Sequence, residues 1–104
     1  DFTESKDWIF KGKRPAIVDF YADWCSPCHA LSPILDSVAL KYSNHIDVYK
    51  VNTEESPELA ALFDVKGIPS ILFVPMNGEA AMASGVISEE GFDRAVNELF
   101  GVKI

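Results

Sequence analysis

The stretch VDFYADWCSPCHALSPIL, residues 18–35, sets an aspartate inside an apolar run and follows it closely with the chain's only two cysteines, Cys25 and Cys28. Its first part belongs to AIVDFYA (16–22), nearly continuous in apolar, β-branched and aromatic residues. That pattern predicts a strand buried on both faces. Its second part opens residues 27–43, where Leu31, Ile34, Leu35, Val38 and Tyr42 recur at helical spacing along one face. Pro27 suits the first turn of that helix, because the N–H it lacks would have no intrahelical partner there. Pro33 lies deeper and is expected to kink it. The cysteines thus fall where a strand gives way to a helix.

Outward from this stretch the elements alternate. TESKDWIFK (3–11) reads as a short helix capped by Thr3 or Ser5, with Trp8 and Ile9 as its apolar residues. IDVYKVN (46–52) alternates like a strand. SPELAALFDV (56–65) reads as a helix with Ser56 as cap, Pro57 first and Gly67 just past its end. IPSILFV (68–74) is another buried strand, and Asn77-Gly78 signals a hairpin into a strand over 80–85. Ser88 caps a last amphipathic helix carrying Phe92, Val96, Leu99 and Phe100. This order predicts one α/β domain spanning 1–104, its central mixed sheet parallel inside, with an antiparallel hairpin edge, and flanked by helices.

Composition narrows the partners. A chain of 104 residues is the size of one domain, and 48% hydrophobic with 24% charged residues is ordinary for a packed core. Nine basic against sixteen acidic residues leave a net charge of −7. That disfavours nucleic acid and anionic membrane surfaces, both of which call for clustered Lys and Arg. No apolar run approaches the roughly 18 residues of a membrane span. No signal peptide is visible, but the chain opens on Asp1 rather than Met. The expected compartment is the cytoplasm, or the periplasm or exterior if a signal segment preceded Asp1.

The thiols admit three readings. As a structural staple the pair is poor, since closing so short a loop restricts the unfolded chain little. As zinc ligands they need two partners, and the only histidines, His29 and His45, are not spaced to complete a site. As chemistry they are well placed. A sulfur at a helix N-terminus meets unpaired N–H groups and the positive end of the helix dipole, which favour thiolate over thiol. Cys28, one turn on, shares a helix face with Cys25, close enough to form a disulfide or to resolve a mixed one. Asp19 is either a strand-edge acid facing water or a buried carboxyl with a raised pKa.

FYADWCSPCH, Ile68-Pro69 and the strand–helix order together resemble the thioredoxin family, from about Arg14 to Phe100. The resemblance implies a thioredoxin-like fold and a protein-disulfide oxidoreductase that reduces disulfides in client proteins. Cys25 would be the nucleophile and Cys28 the resolving thiol, cycling through a redox-active disulfide. Asp19 matches the family's proton acceptor for the second cysteine, and Lys50 a lysine that tunes that acid. Trp24, Ile68, Pro69 and Gly85 match the client-facing surface, with the Ile68–Pro69 bond cis and the Ile68 backbone open to an extended client segment. No organic or metal cofactor is implied; the partners are clients, a recycling reductase and no second subunit.

The family's first strand has only Asp1 and Phe2 left to supply it. The motif departs at two further places. Ser26 stands where Gly is usual, and His29 where Lys or Arg is usual; an imidazole carries less positive charge at neutral pH than either. Together with Pro27 these residues are expected to modulate the redox potential. Oxidases and isomerases of this fold usually carry His at the position of Pro27, so that alternative is disfavoured. A binding subunit with idle cysteines is the other alternative.

Overall fold

The computed structural model describes residues 14–76 and 79–102. The expected helix over 3–11 with Trp8, the Asp1-Phe2 segment and the Asn77-Gly78 turn lie outside them. Within them the order is β1 (Ala16–Tyr21), α1 (Ser26–Lys41), β2 (Asp47–Asn52), α2 (Pro57–Leu62), β3 (Ser70–Val74), β4 (Ala81–Ser84) and α3 (Glu89–Ala95). A π-helical segment, Val96–Phe100, prolongs α3 and ends at Gly101, which takes φ 70°.

The strands lie in the order β2-β1-β3-β4. β1 pairs parallel with β2, with Asp19 opposite Lys50, and antiparallel with β3, which pairs antiparallel with β4. The mixed sheet and its antiparallel β3–β4 pair are as expected, but among the described residues only one pair is parallel, so the antiparallel part reaches further in than that edge. The chain does not return along β2 before re-entering the sheet: after α2, β3 enters at the end where β2 finishes, with Ser70 opposite Phe20.

Alternation along β1 divides the core in two. Ile17 packs with Leu31, Leu35 and Val38 of α1 and with Phe92 and Val96. Val18 and Phe20 face the other way, against Val51, Leu59 and Leu72. Phe73 lies between the rings of Phe92 and Phe100, with centroids 6.1 and 6.3 Å away. Leu99, expected in this apolar stripe, is exposed instead. The wider π turn rotates the face, so Phe100 rather than Leu99 follows Val96 onto the core.

Helix ends follow local chemistry. Ser88 Oγ accepts from the Gly91 N–H at 3.0 Å, capping α3. Ser56 holds the cap position of α2 without a side-chain hydrogen bond, and Asn52 Oδ1 instead accepts from the Glu54 N–H at 2.9 Å. α2 also stops short of Gly67: Asp64 takes the left-handed turn at φ 56°, which a short polar side chain tolerates. At the far end of α1, Lys41 pairs with Glu89 and Asp93, and the Tyr42 hydroxyl donates to Asp93 Oδ1 at 2.6 Å. These bonds clasp α1 to α3.

Candidate active site

β1 runs out at Tyr21, three residues turn the chain, and Cys25 takes the N-cap of α1 in extended conformation. Its sulfur does what a Ser or Asp side chain does at that position: it accepts a backbone N–H, that of Cys28, at 3.3 Å. Pro27 falls in the first turn, as expected, and α1 continues through Pro33. Cys25 and Cys28 are joined in a disulfide with their Cα atoms 5.2 Å apart. Both are buried, 4% and 6% exposed, so accessibility does not distinguish them. Ala22 completes their cluster, with Tyr21 and Ile68 packed against it.

The Ile68–Pro69 bond is cis. The Pro69 carbonyl accepts from the Gly85 N–H at 2.8 Å, which sets Gly85 beside it at φ 90°, a conformation that favours glycine. Ile68, Pro69 and Gly85 are therefore contiguous, although fifteen residues separate the last two in sequence.

Asp19 is buried at 4% exposure, and its Oδ1 has no hydrogen-bond partner among the described residues. Burial lifts its carboxyl to about 6, a rise that the nearby Lys50 ammonium limits. Asp19 is not a strand-edge acid in open water. It lines a cavity of about 210 Å³ whose wall also includes Cys28, His29, Ser32 and Lys50. A space of that size admits several waters at about 30 Å³ each, which could link Asp19 to Cys28 without direct contact. The Lys50 ammonium donates to Ser32 Oγ and Asp36 Oδ1, each at 3.3 Å.

Four residues at the site were not legible as such. Ser32 and Asp36 hold Lys50; their i, i+4 spacing on α1 was the available signal. Glu54 Oε2 accepts from the Trp24 indole N–H at 2.9 Å. Asp23 supplies the backbone carbonyl that His29 Nε2 meets at 2.6 Å, so that nitrogen carries the proton. Trp24, expected on the client-facing surface, is 67% exposed and is not part of the buried cysteine cluster. Ser26 and Pro27 are exposed on the outer turn.

A cysteine pair joined at a helix start, next to a cis-proline loop and a buried acid, is the arrangement of a thiol–disulfide oxidoreductase. The family model described as Thioredoxin matches residues 3–98. A thioredoxin of Borreliella burgdorferi is 42% identical over 101 residues, covering 97% of this chain and 86% of that one. The chloroplastic M-type thioredoxin of Spinacia oleracea is 42% identical over 74 residues, 71% of this chain and 40% of that protein. The crystal structure of chloroplastic thioredoxin z superposes with a TM-score of 0.83 at 27% identity, covering 90% of this chain and 85% of that one. The chain belongs to the thioredoxin family. It is a thioredoxin-type protein-disulfide oxidoreductase, with Cys25 and Cys28 as its redox-active pair.

Proposed function

We propose that the chain, acting as a single monomeric domain, works in the reducing direction on client proteins. The observation behind Cys25 as the attacking sulfur is the Cys28 N–H aimed at Cys25 Sγ, which stabilises negative charge there once the disulfide is reduced; the reducing direction is read from Pro27, where oxidases and isomerases of this fold usually carry His. Cys25 thiolate attacks one sulfur of a client disulfide. The client S–S bond breaks, a Cys25–client bond forms, and one client thiolate leaves. Cys28 then gives its proton to Asp19 through the cavity and attacks Cys25 Sγ. That expels the second client thiolate and closes the Cys25–Cys28 disulfide. Two electrons pass from the dithiol to the client, and a recycling reductase returns them.

Lys50 tunes Asp19, and Ser26, Pro27 and His29 modulate the pair. The client lies as an extended segment along Ile68, Pro69 and Gly85, with Trp24 as a lateral apolar contact. Ile68 supports this role because it packs on the cysteine cluster yet precedes the β3–β4 ladder, which begins at Ser70 opposite Ser84. Among the described residues no helix is long and apolar enough to cross a membrane. The cytoplasm is the compartment proposed, with the bacterial relative in support; the M-type relative is named as chloroplastic.

Insulin reduction, with Cys25→Ser as control, tests the reading. Activity lost in the variant supports it; activity unchanged removes Cys25 as nucleophile. The equilibrium potential against glutathione decides direction: near about −270 mV the protein is a reductant, near about −120 mV an oxidant.

A further inference from the structure

Lys50 stands opposite Asp19 in the β1–β2 register, and both line the cavity with Cys28. A lysine so placed would neutralise a buried carboxylate best by resting its ammonium against it. The structure shows another arrangement. The ammonium donates to Ser32 Oγ and Asp36 Oδ1, while Asp19 Oδ1 has no partner among the described residues. Ser32 and Asp36 lie four apart on α1, one turn above the other, and reach the same ammonium from the helix side. One cation is thus shared between an exposed carboxylate that bonds it and a buried carboxylate that does not.

We propose that Ser32 and Asp36 are positioning residues that hold the Lys50 ammonium toward α1 and so withhold part of its charge from Asp19. A full ion pair with Lys50 would pull the Asp19 carboxyl toward the ordinary acid range, where it could no longer hold a proton near neutrality. By holding Lys50 aside, the two α1 residues keep Asp19 able to take a proton. The other titratable groups facing the cavity are Tyr21 and Asp23 at the end of β1 and its turn, and Cys28 and His29 on α1. Of the cavity's charged groups, Lys50 is the one that bridges β2 to α1. The proposal rests on the reading of Asp19 as proton acceptor, but its test does not depend on that role.

The experiment follows the Asp19 carboxyl by ¹³C NMR titration in the oxidised protein, where neither cysteine titrates. Asp36→Asn removes a negative charge and frees Lys50, and both effects lower the Asp19 midpoint, together by about 1 pH unit. Ser32→Ala changes no charge and should lower it in the same direction by less. In a Lys50→Gln background the Ser32→Ala shift should vanish, and the Asp36→Asn shift should shrink to its direct part, a coupling that a double-mutant cycle isolates. Midpoints that stay put or rise in the single variants overturn the proposal, as does a Ser32→Ala shift that survives without Lys50. Failure of the underlying reading has a different signature: Asp19→Asn would leave mixed-disulfide decay unchanged whatever the titrations show.

Discussion

Replacing Asp19 by Asn should stabilise the oxidised protein, by an amount that depends on pH in a defined way. Asp19 is buried with its carboxyl raised to about 6, against about 3.9 in an unfolded chain. Between those values the folded state binds more protons at this site than the unfolded state does. Stability contributed by Asp19 is therefore fully present below about pH 4 and is lost as pH rises through about 6. A difference of about 2 units corresponds to about 2 to 3 kcal/mol at neutral pH and above. Asn carries no ionisation and escapes that loss. For a domain of this size the gain amounts to a rise in Tm of roughly 10 °C. The assay is chemical unfolding of wild type and Asp19→Asn at pH 4 to 8 with the disulfide intact, so that thiol titration does not enter. The difference between the curves should be small at pH 4, climb to pH 6 and level off. A difference that is flat across the range would refute the buried-carboxyl argument. A variant less stable at pH 8 would do so more strongly.

In the reduced protein, iodoacetamide should modify Cys25 before Cys28, because the Cys28 N–H favours thiolate at Cys25; mass spectrometry showing Cys28 labelled first would reverse the assigned roles. Gly85→Ala has open space for its new methyl but keeps φ at 90°, so urea unfolding should show a loss of about 1 to 2 kcal/mol. Equal stability would mean that the Gly85–Pro69 contact tolerates another conformation. Tyr42→Phe removes the hydroxyl bond to Asp93 and should cost about 1 kcal/mol by the same assay; no change would show the α1–α3 clasp resting on Lys41 alone.

What the sequence reveals here depends on how local each feature is. The strand over 16–22, the helix start at the cysteines and the Ser88 cap depend on residues adjacent in the chain, and all three appear as expected within a residue or so. Asp19 was legible as an anomaly because a charge inside an apolar run conflicts with burial. The antiparallel pairing of β1 with β3 was not, since it depends on the end of the sheet at which the chain re-enters after α2 rather than on the composition of either strand. The same holds for Trp24 and Glu54, and for Lys50 with Ser32 and Asp36. Each pairs polar residues from separate elements, with unremarkable local patterns, and only the packed sheet brings them together. Leu99 failed for a local reason: a helix period was assumed where a π turn intervenes.

The β1–β3 ladder has a consequence for how such a protein can diversify. Everything proposed to handle electrons and protons (Asp19, Cys25, Cys28 and Lys50) comes from the β1-α1-β2 half. Of the residues proposed to hold the client, Ile68, Pro69 and Gly85 come from the half that begins with α2, and only the lateral Trp24 comes from the first. The two halves are stitched along five paired residues, Ala16–Phe20 against Ser70–Val74. Sequence drift on the far side of that seam can alter which proteins are recognised while the chemistry on the near side stays intact. A chain cut in the turn after Asn52 would part the reactive pair from the cis-proline loop, leaving reassembly to that strand pair, the α1–α3 clasp and the shared core.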